Sequence, residues 1–357
     1  MEKKRYANID LLKTVAILMV IALHSQLFKL DFIQYNNISS YIQYFLRIIC
    51  EGVAIFILVN GFLLINKKEF DLKRHLLKIL KIFILLILWS IILTTVIKLI
   101  YQEPLKISEI IKNIFVIDIN NKYTGVLWFL QSLIALYLIY PVLKILHDKD
   151  KKVYDYLFIV VLIFTMGTNL LSIISELINT KIKCNTINLV ISYMSNFQVL
   201  YNRNFLIFFM LGGYLFENKE KFEERKTRRK WIVIGLVSWI IAFTFAVIIS
   251  KSQNKTYMQN FNYGSIFMPF ILIGIFAATY NYKSKEKWYN KIIETISKNS
   301  LGIYLIHIII VRIISSLYTG QLSLPLRICK VIIVFIVSLM ITLLIKKIPK
   351  VKKLVEL

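Results

Sequence analysis

Residues 8–25 read NIDLLKTVAILMVIALHS, an apolar run of membrane-spanning length interrupted by Asp10, Lys13 and His24. At about 100° per residue, these three fall within roughly 60° of one another around a helix. With a rise of about 1.5 Å per residue, His24 stands about 21 Å along the axis from Asp10. One face therefore carries charge near one end of the span and an imidazole deep within it. Ionisable groups in a membrane helix cost a few kcal/mol each and mark function. The alternative is that His24 only bonds a neighbouring helix.

The rest of the chain repeats the pattern. Hydrophobic residues make up 57% of 357, aromatics 14%, and the mean hydropathy is +0.66, which excludes an ordinary soluble domain. Apolar runs near 9–28, 42–65, 77–100, 125–146, 154–175, 202–217, 231–250, 263–281, 299–318 and 326–346 predict about ten transmembrane helices in a single all-α, polytopic membrane domain covering 1–357. Apolar residues at 187–200 read as a re-entrant or interfacial piece. The first run is too long for a signal peptide and no small-residue cleavage site follows, so it reads as an uncleaved span.

The net charge of +25 is distributed in connectors, not on a folded basic surface, which argues against nucleic acid. Lys and Arg are about three times as abundant in alternate connectors, starting with the N-terminus, as in the others. Both termini are expected on the cytoplasmic side, with the plasma membrane as location. The charged stretch Glu217–Lys230 reads as a solvated loop with some attraction to anionic lipid. Three scattered cysteines, Cys50, Cys184 and Cys329, give neither a disulfide framework nor metal spacing, and no metal is expected. No P-loop, GxGxxG, HExxH or GxSxG is present.

Other polar groups inside the spans complete the candidates. Arg47 and Glu51 form an i,i+4 pair in the second span, either as a structural ion pair or as a partner that orients His24. Tyr304 and His307 meet at i,i+3 in the ninth, where a structural role is favoured. Trp128 and Gln131 open the fourth, Arg203 lies at the mouth of the sixth, and Arg312 near the end of the ninth. Residues 67–81, KKEFDLKRHLLKILK, mix cations with an apolar stripe. They serve orientation alone or bind donor phosphates, Arg74 with its fork and Lys78 and Lys81 as point charges.

Several of these stretches, in order, resemble the acyltransferase type 3 family of integral membrane proteins. The first span matches a basic residue, ten residues, then His, here Lys13 and His24, preceded by Asp10. EGVAIFILVNGFLL is similar to a family segment ending Ser-Gly-Phe-Leu, with Asn60 in place of the Ser. LWFLQSLIALYLIYPVL resembles a Trp-to-Tyr-to-Pro pattern, carried by Trp128, Tyr137 and Pro141; FFMLGGYLF and SLGIYLIH follow. The family's Arg-x-x-Arg near the third span is represented only by His75 with Lys78, or Lys78 with Lys81.

The resemblance implies a stand-alone O-acyltransferase of the cell envelope, without an appended soluble domain. It would move acetyl from cytoplasmic acetyl-CoA, or another acyl from its CoA ester, to a hydroxyl of a sugar in a surface polysaccharide or a related acceptor. On this reading His24 is the general base, with Glu51 and Asp10 as catalytic partners. Lys13, Arg74, Lys78 and Lys81 hold the donor; Arg47, Trp128, Gln131, Arg203, Tyr304, His307 and Arg312 line the acceptor side. The partners are lipid, acyl-CoA and a glycan, and homo-oligomers are compatible with it. A proton-coupled transporter or exporter of a small polar molecule is the alternative.

Overall fold

The computed structural model describes residues 5–115, 120–179, 189–192, 203–282, 286–318, 320 and 322–356. Among the described residues every regular element is helical. The helices are α1 (Ala7–His24), α2 (Phe32–Tyr35), α3 (Ile38–Ile49), α4 (Gly52–Leu64), α5 (Leu72–Ile100), α6 (Ile107–Phe115), α7 (Trp128–Lys149), α8 (Lys151–Leu162) and α9 (Thr168–Asn179). After these come α10 (Arg203–Glu217), α11 (Arg225–Gln253), α12 (Met268–Thr279), α13 (Lys287–Leu317) and α14 (Leu324–Lys347). A π-helical turn, Ile163–Gly167, joins α8 to α9. The expected re-entrant piece at 187–200 lies outside the described residues, apart from one helical turn at 189–192.

Among the described residues, eight stretches are long and apolar enough to cross a bilayer: α1, α3 with α4, α5, α7, α8 with α9, α11, α13 and α14. The sixth and eighth expected spans correspond to the shorter apolar helices α10 and α12. A helix of 12 residues rises only about 18 Å, against about 30 Å of hydrocarbon. The start of α12 is delayed by a turn at Asn262, whose side chain accepts from Gly264 N at 2.8 Å and whose carbonyl accepts from Ser265 N at 2.9 Å. Pro269 then sits in the first turn, where its missing N–H costs nothing.

The second expected span is not one helix. Cys50 (φ −78°, ψ 53°) and Glu51 (φ −109°, ψ 60°) leave helical geometry between α3 and α4. Irregular backbone within an apolar span is tolerated where protein covers it, and residues 50–54 are all buried.

The chain forms two compact units. The first comprises Met1–Leu12, Phe28–Lys67 and Val142–Lys283. At its centre α4 is buried along almost its whole length and packs on α10. Gly61 and Gly212 allow that approach: a Cβ at Gly61 would lie 1.7 Å from the Phe209 carbonyl oxygen, and one at Gly212 2.0 Å from that of Leu58. Helices in an apolar medium gain contact chiefly through such small residues. The rings of Tyr6, Phe62, Phe216 and Phe276 close around this crossing. A second glycine pair, Gly235 and Gly274, marks where α11 and α12 meet.

The second unit comprises Lys13–Leu27, Lys68–Pro141 and Ser284–Leu357. α1 and α7 each contribute to both units, and α7 changes unit at Pro141, where the helix ladder lacks an N–H. Within this unit α13 packs on α14 and on α5. Trp89 Nε1 donates to the Leu354 carbonyl at 2.8 Å, which ties the residues after α14 to α5.

α6 is held to this unit by its polar side. Asn113 Nδ2 donates to Thr94 Oγ1 at 3.1 Å, and Glu109 pairs with Lys98. Beyond it Lys122 reaches Glu103 at 2.5 Å, and the Tyr123 hydroxyl donates to the same carboxylate. Hydrogen bonds from Lys122 and Tyr123 hold the Glu103 carboxyl below the usual carboxylate range, and the bond from Lys98 does so for Glu109. Lowered values mean that these contacts stabilise fully above the ordinary carboxylate pKa, about 4.3, and lose their effect as pH falls through the lowered one. Amide-exchange protection of residues 103–115 is therefore expected to hold from neutral pH to about 4.3 and to fall only below it. A loss already near pH 6 would contradict that assignment.

Candidate active site

In the second unit α1 ends on a Schellman motif. Leu27 N donates to the Ala22 carbonyl and Gln26 N to that of Leu23, both at 3.0 Å, with Gln26 left-handed at φ 59°. His24 is the last helical residue, so the motif fixes its backbone. Arg327, buried on α14, donates through Nη1 to the Leu27 carbonyl at 3.0 Å and anchors the same terminus.

Against this end of α1 lies His307 of α13. The imidazoles of His24 and His307 are 5.1 Å apart between centroids and tilted by 55°. His307 is fully buried. Its Nδ1 is bonded to the Tyr304 carbonyl, while Nε2 has no hydrogen-bond partner among the described residues. The hydroxyl of Ser25, next to His24, is likewise buried without a partner. Buried polar atoms are nearly always satisfied, so the orphans on His307 and Ser25 each call for a ligand or a water. Tyr304 supports the arrangement: its hydroxyl donates to the Val126 carbonyl and its ring meets Phe129 edge-on at 5.2 Å.

The remaining expected residues of this unit lie on α1, α5, α7 and α13. Trp128 and Gln131 lie in the first turn of α7, both half-buried. Arg312 donates to the Lys122 carbonyl at 3.1 Å. Lys13 is half-buried on α1. On α5, His75 is buried with Nε2 2.6 Å from the Tyr137 carbonyl, and Lys78 Nζ donates to the Tyr137 hydroxyl at 3.2 Å. Arg74 is exposed and paired with Asp71, and Lys81 is exposed. Of the two alternatives for the basic pair, His75 with Lys78 is the one that faces α7.

The first unit holds the others. Asp10, in the first turn of α1, pairs with Arg5 at 2.7 Å. Glu51 is buried at the break before α4 and accepts from Arg47 at 3.0 Å. Its side chain does not cap α4; Arg47 takes it instead. Removing one member of a buried pair strands the other charge, at roughly 3 kcal/mol or more. Arg47→Leu is accordingly expected to lower thermal stability in detergent markedly, and Arg47→Leu with Glu51→Leu to recover most of the loss. Equal melting of the two variants would rule the pair out as the cause. Arg203 opens α10, and its side chain lies outside the described residues.

The model of the family described as an acyltransferase domain matches residues 6–347. The chain belongs to the acyltransferase type 3 family. No curated protein and no solved structure matches it. As an acyltransferase of this family with eight bilayer-length apolar stretches among the described residues, the chain is a multi-pass membrane enzyme. Two buried cations of the second unit escaped sequence reasoning, Arg327 and Lys330. Both are buried on α14, Lys330 donating to Ser315 Oγ at 3.0 Å. The available signal was two cations three residues apart at the start of an otherwise apolar run. Among the described residues no cluster of His, Cys, Asp and Glu could hold a metal.

Proposed function

We propose that this acyltransferase moves an acyl group, acetyl from cytoplasmic acetyl-CoA, to a hydroxyl of a sugar or related acceptor of the cell surface, with His24 as general base. The observation that carries the reading is the placement of His24: an imidazole at a helix end beside a second imidazole whose Nε2 is buried without a hydrogen-bond partner. A neutral imidazole can accept the proton of a hydroxyl as a general base.

The step runs as follows. The acceptor O–H gives its proton to a His24 nitrogen as the oxygen adds to the thioester carbonyl. The tetrahedral adduct then expels the CoA sulfur, which takes the proton from His24. The products are the O-ester and CoA thiol, and His24 returns neutral. Lys78 and His75 at Tyr137, with Arg74 and Lys81 nearby in sequence and Lys13 on α1, would form the basic side for the donor phosphates, where both termini would be cytoplasmic. The plasma membrane is the location this reading implies, with a glycan as the partner of the opposite face. Within the second unit, Trp128, Gln131, Tyr304 and Arg312 would line that acceptor side.

Purified protein in lipid should bind acetyl-CoA and release CoA in proportion to an added hydroxyl acceptor. The buried ion pair at the break between α3 and α4 is the feature that a carrier would share. Absence of acyl-CoA binding, with flux of a small polar solute in vesicles, would replace the enzyme by that carrier.

A further inference from the structure

The short helix α6 turns its polar groups inward and its apolar ones outward. Glu109 pairs with Lys98 of α5, and Asn113 Nδ2 donates to Thr94 Oγ1 at 3.1 Å. Asn113 Oδ1 in turn accepts from Asn121 Nδ2 at 2.9 Å. At about 100° per residue, Ile107, Ile111 and Phe115 share a sector of about 80°, and Glu109 and Asn113 centre on the opposite side. The three apolar residues are 76%, 50% and 77% exposed, and Leu105, just before the helix, is 48% exposed. An amphipathic helix on a water-facing surface is arranged the other way, with its apolar stripe on the core.

The same contacts set the depth of α6. α5 carries Lys73, Arg74, Lys78 and Lys81 in its first turns, and the hydrocarbon of a bilayer takes about 20 residues of helix. Counted from Ile82, that length ends near Tyr101. Thr94 and Lys98 then lie about 10 Å and about 5 Å inside the far boundary. Glu109 stands level with Lys98 and Asn113 with Thr94, so α6 runs back down α5 in the opposite direction. Lys98 is buried there, and a charge at that depth needs a partner such as Glu109.

We propose that α6 is a re-entrant helix embedded in the leaflet at the C-terminal end of α5, with Ile107, Ile111 and Phe115 among lipid acyl chains. Two observations select lipid as the occupant. α6 follows a bilayer-length helix whose own apolar residues are exposed along its length up to Leu99, at 61%. Three apolar side chains on a nine-residue helix also fall far short of the roughly 20–30 residues a side that a stable protein interface uses. Ser108 and Lys112, both exposed, lie at the edge of the stripe, where the Lys stem can carry its ammonium toward the headgroups. In this position α6 covers the Lys98 and Thr94 contacts against lipid, as polar groups at membrane depth require.

The test reads where the stripe lies and needs no turnover. In a Cys50→Ser, Cys184→Ser, Cys329→Ser background, the variants Ile107→Cys, Ile111→Cys and Phe115→Cys are spin-labelled singly. Lys221→Cys, at an exposed position of the charged stretch, is the aqueous reference. In vesicles of phosphatidylcholine and phosphatidylglycerol, molecular oxygen should reach the three α6 labels more readily than a water-soluble nickel chelate does, and the reference label should show the reverse. The preference for oxygen should grow from position 107 to 115, as depth increases by up to about 12 Å. Chelate access at positions 111 and 115 equal to that at 221 overturns the proposal. Spin–spin broadening at these positions also overturns it, since it would put a second copy of the chain on the stripe. Wild-type protein gives an independent check: a carbene generated from a diazirine partitioned into the same vesicles should modify residues 105–115 as heavily as residues 84–91 of α5. Modification of α5 with none at 105–115 would place the stripe outside the hydrocarbon.

Discussion

His24→Ala protein, purified and returned to lipid, is expected to release CoA from acetyl-CoA and a hydroxyl acceptor at least about 10²-fold more slowly than wild type, approaching 10⁴-fold if no water replaces the base. The loss should lie in kcat, because the cations assigned to the donor, Lys78 foremost, are untouched. Lys78→Ala is the complement: KM for the donor rises while kcat changes less. Misfolding is not the expected cause of the His24 effect. The residue is the last of α1, alanine is a good helix former, and the Schellman bonds and the Arg327 contact that hold the terminus are all to backbone atoms. Added imidazole should restore part of the rate, since the substitution vacates an imidazole-sized volume. A variant retaining more than about a tenth of wild-type kcat would remove His24 from the base role.

How far this site was legible depends on which interactions are local. The apolar spans, the all-helical class and the family were open to inspection, because each rests on a run or motif within a few tens of residues. His24 and His307 stood out singly as imidazoles in apolar helices, but nothing in the spacing of the first and ninth spans says that their rings adjoin. Arg47 and Glu51 were seen as a pair at i,i+4, and they are one. The same spacing concealed the helix break between them, since an i,i+4 pair argues for continuous helix. The choice between Lys78 and Lys81 needed α7, where Tyr137 takes both His75 and Lys78. Asp10 was read as part of a polar face with His24, and it pairs with Arg5, five residues away. The two short helices were missed as such because apolar content measures burial, not length: α12 is apolar throughout yet begins only after the Asn262 turn.

The largest expected effect on folding lies at Gly61 and Gly212. Gly61→Ala places a methyl group 1.7 Å from the Phe209 carbonyl oxygen, and Gly212→Ala places one 2.0 Å from the Leu58 carbonyl oxygen. Both obstacles are backbone, so no rotamer relieves them, and α4 and α10 must move apart along the segment that carries the buried Phe62, Phe208 and Phe209. Overpacking in a rigid core costs about 1–3 kcal/mol, and more when backbone is displaced. Either substitution is therefore expected to abolish recovery of monodisperse protein or to lower its thermal midpoint by many degrees. Gly213→Ala meets only the Ile65 side chain, at 2.8 Å from its terminal carbon, and should cost far less because that chain can shift. Gly167→Ala meets nothing within 4 Å and should leave melting unchanged to within about 1 kcal/mol. The ordering of the four alanine variants carries the argument. If Gly61→Ala melted with Gly167→Ala, the close crossing of α4 and α10 would be wrong. The same crossing fixes α4 directly after Glu51, so a milder variant that survives purification should also weaken the Arg47–Glu51 pair at its start.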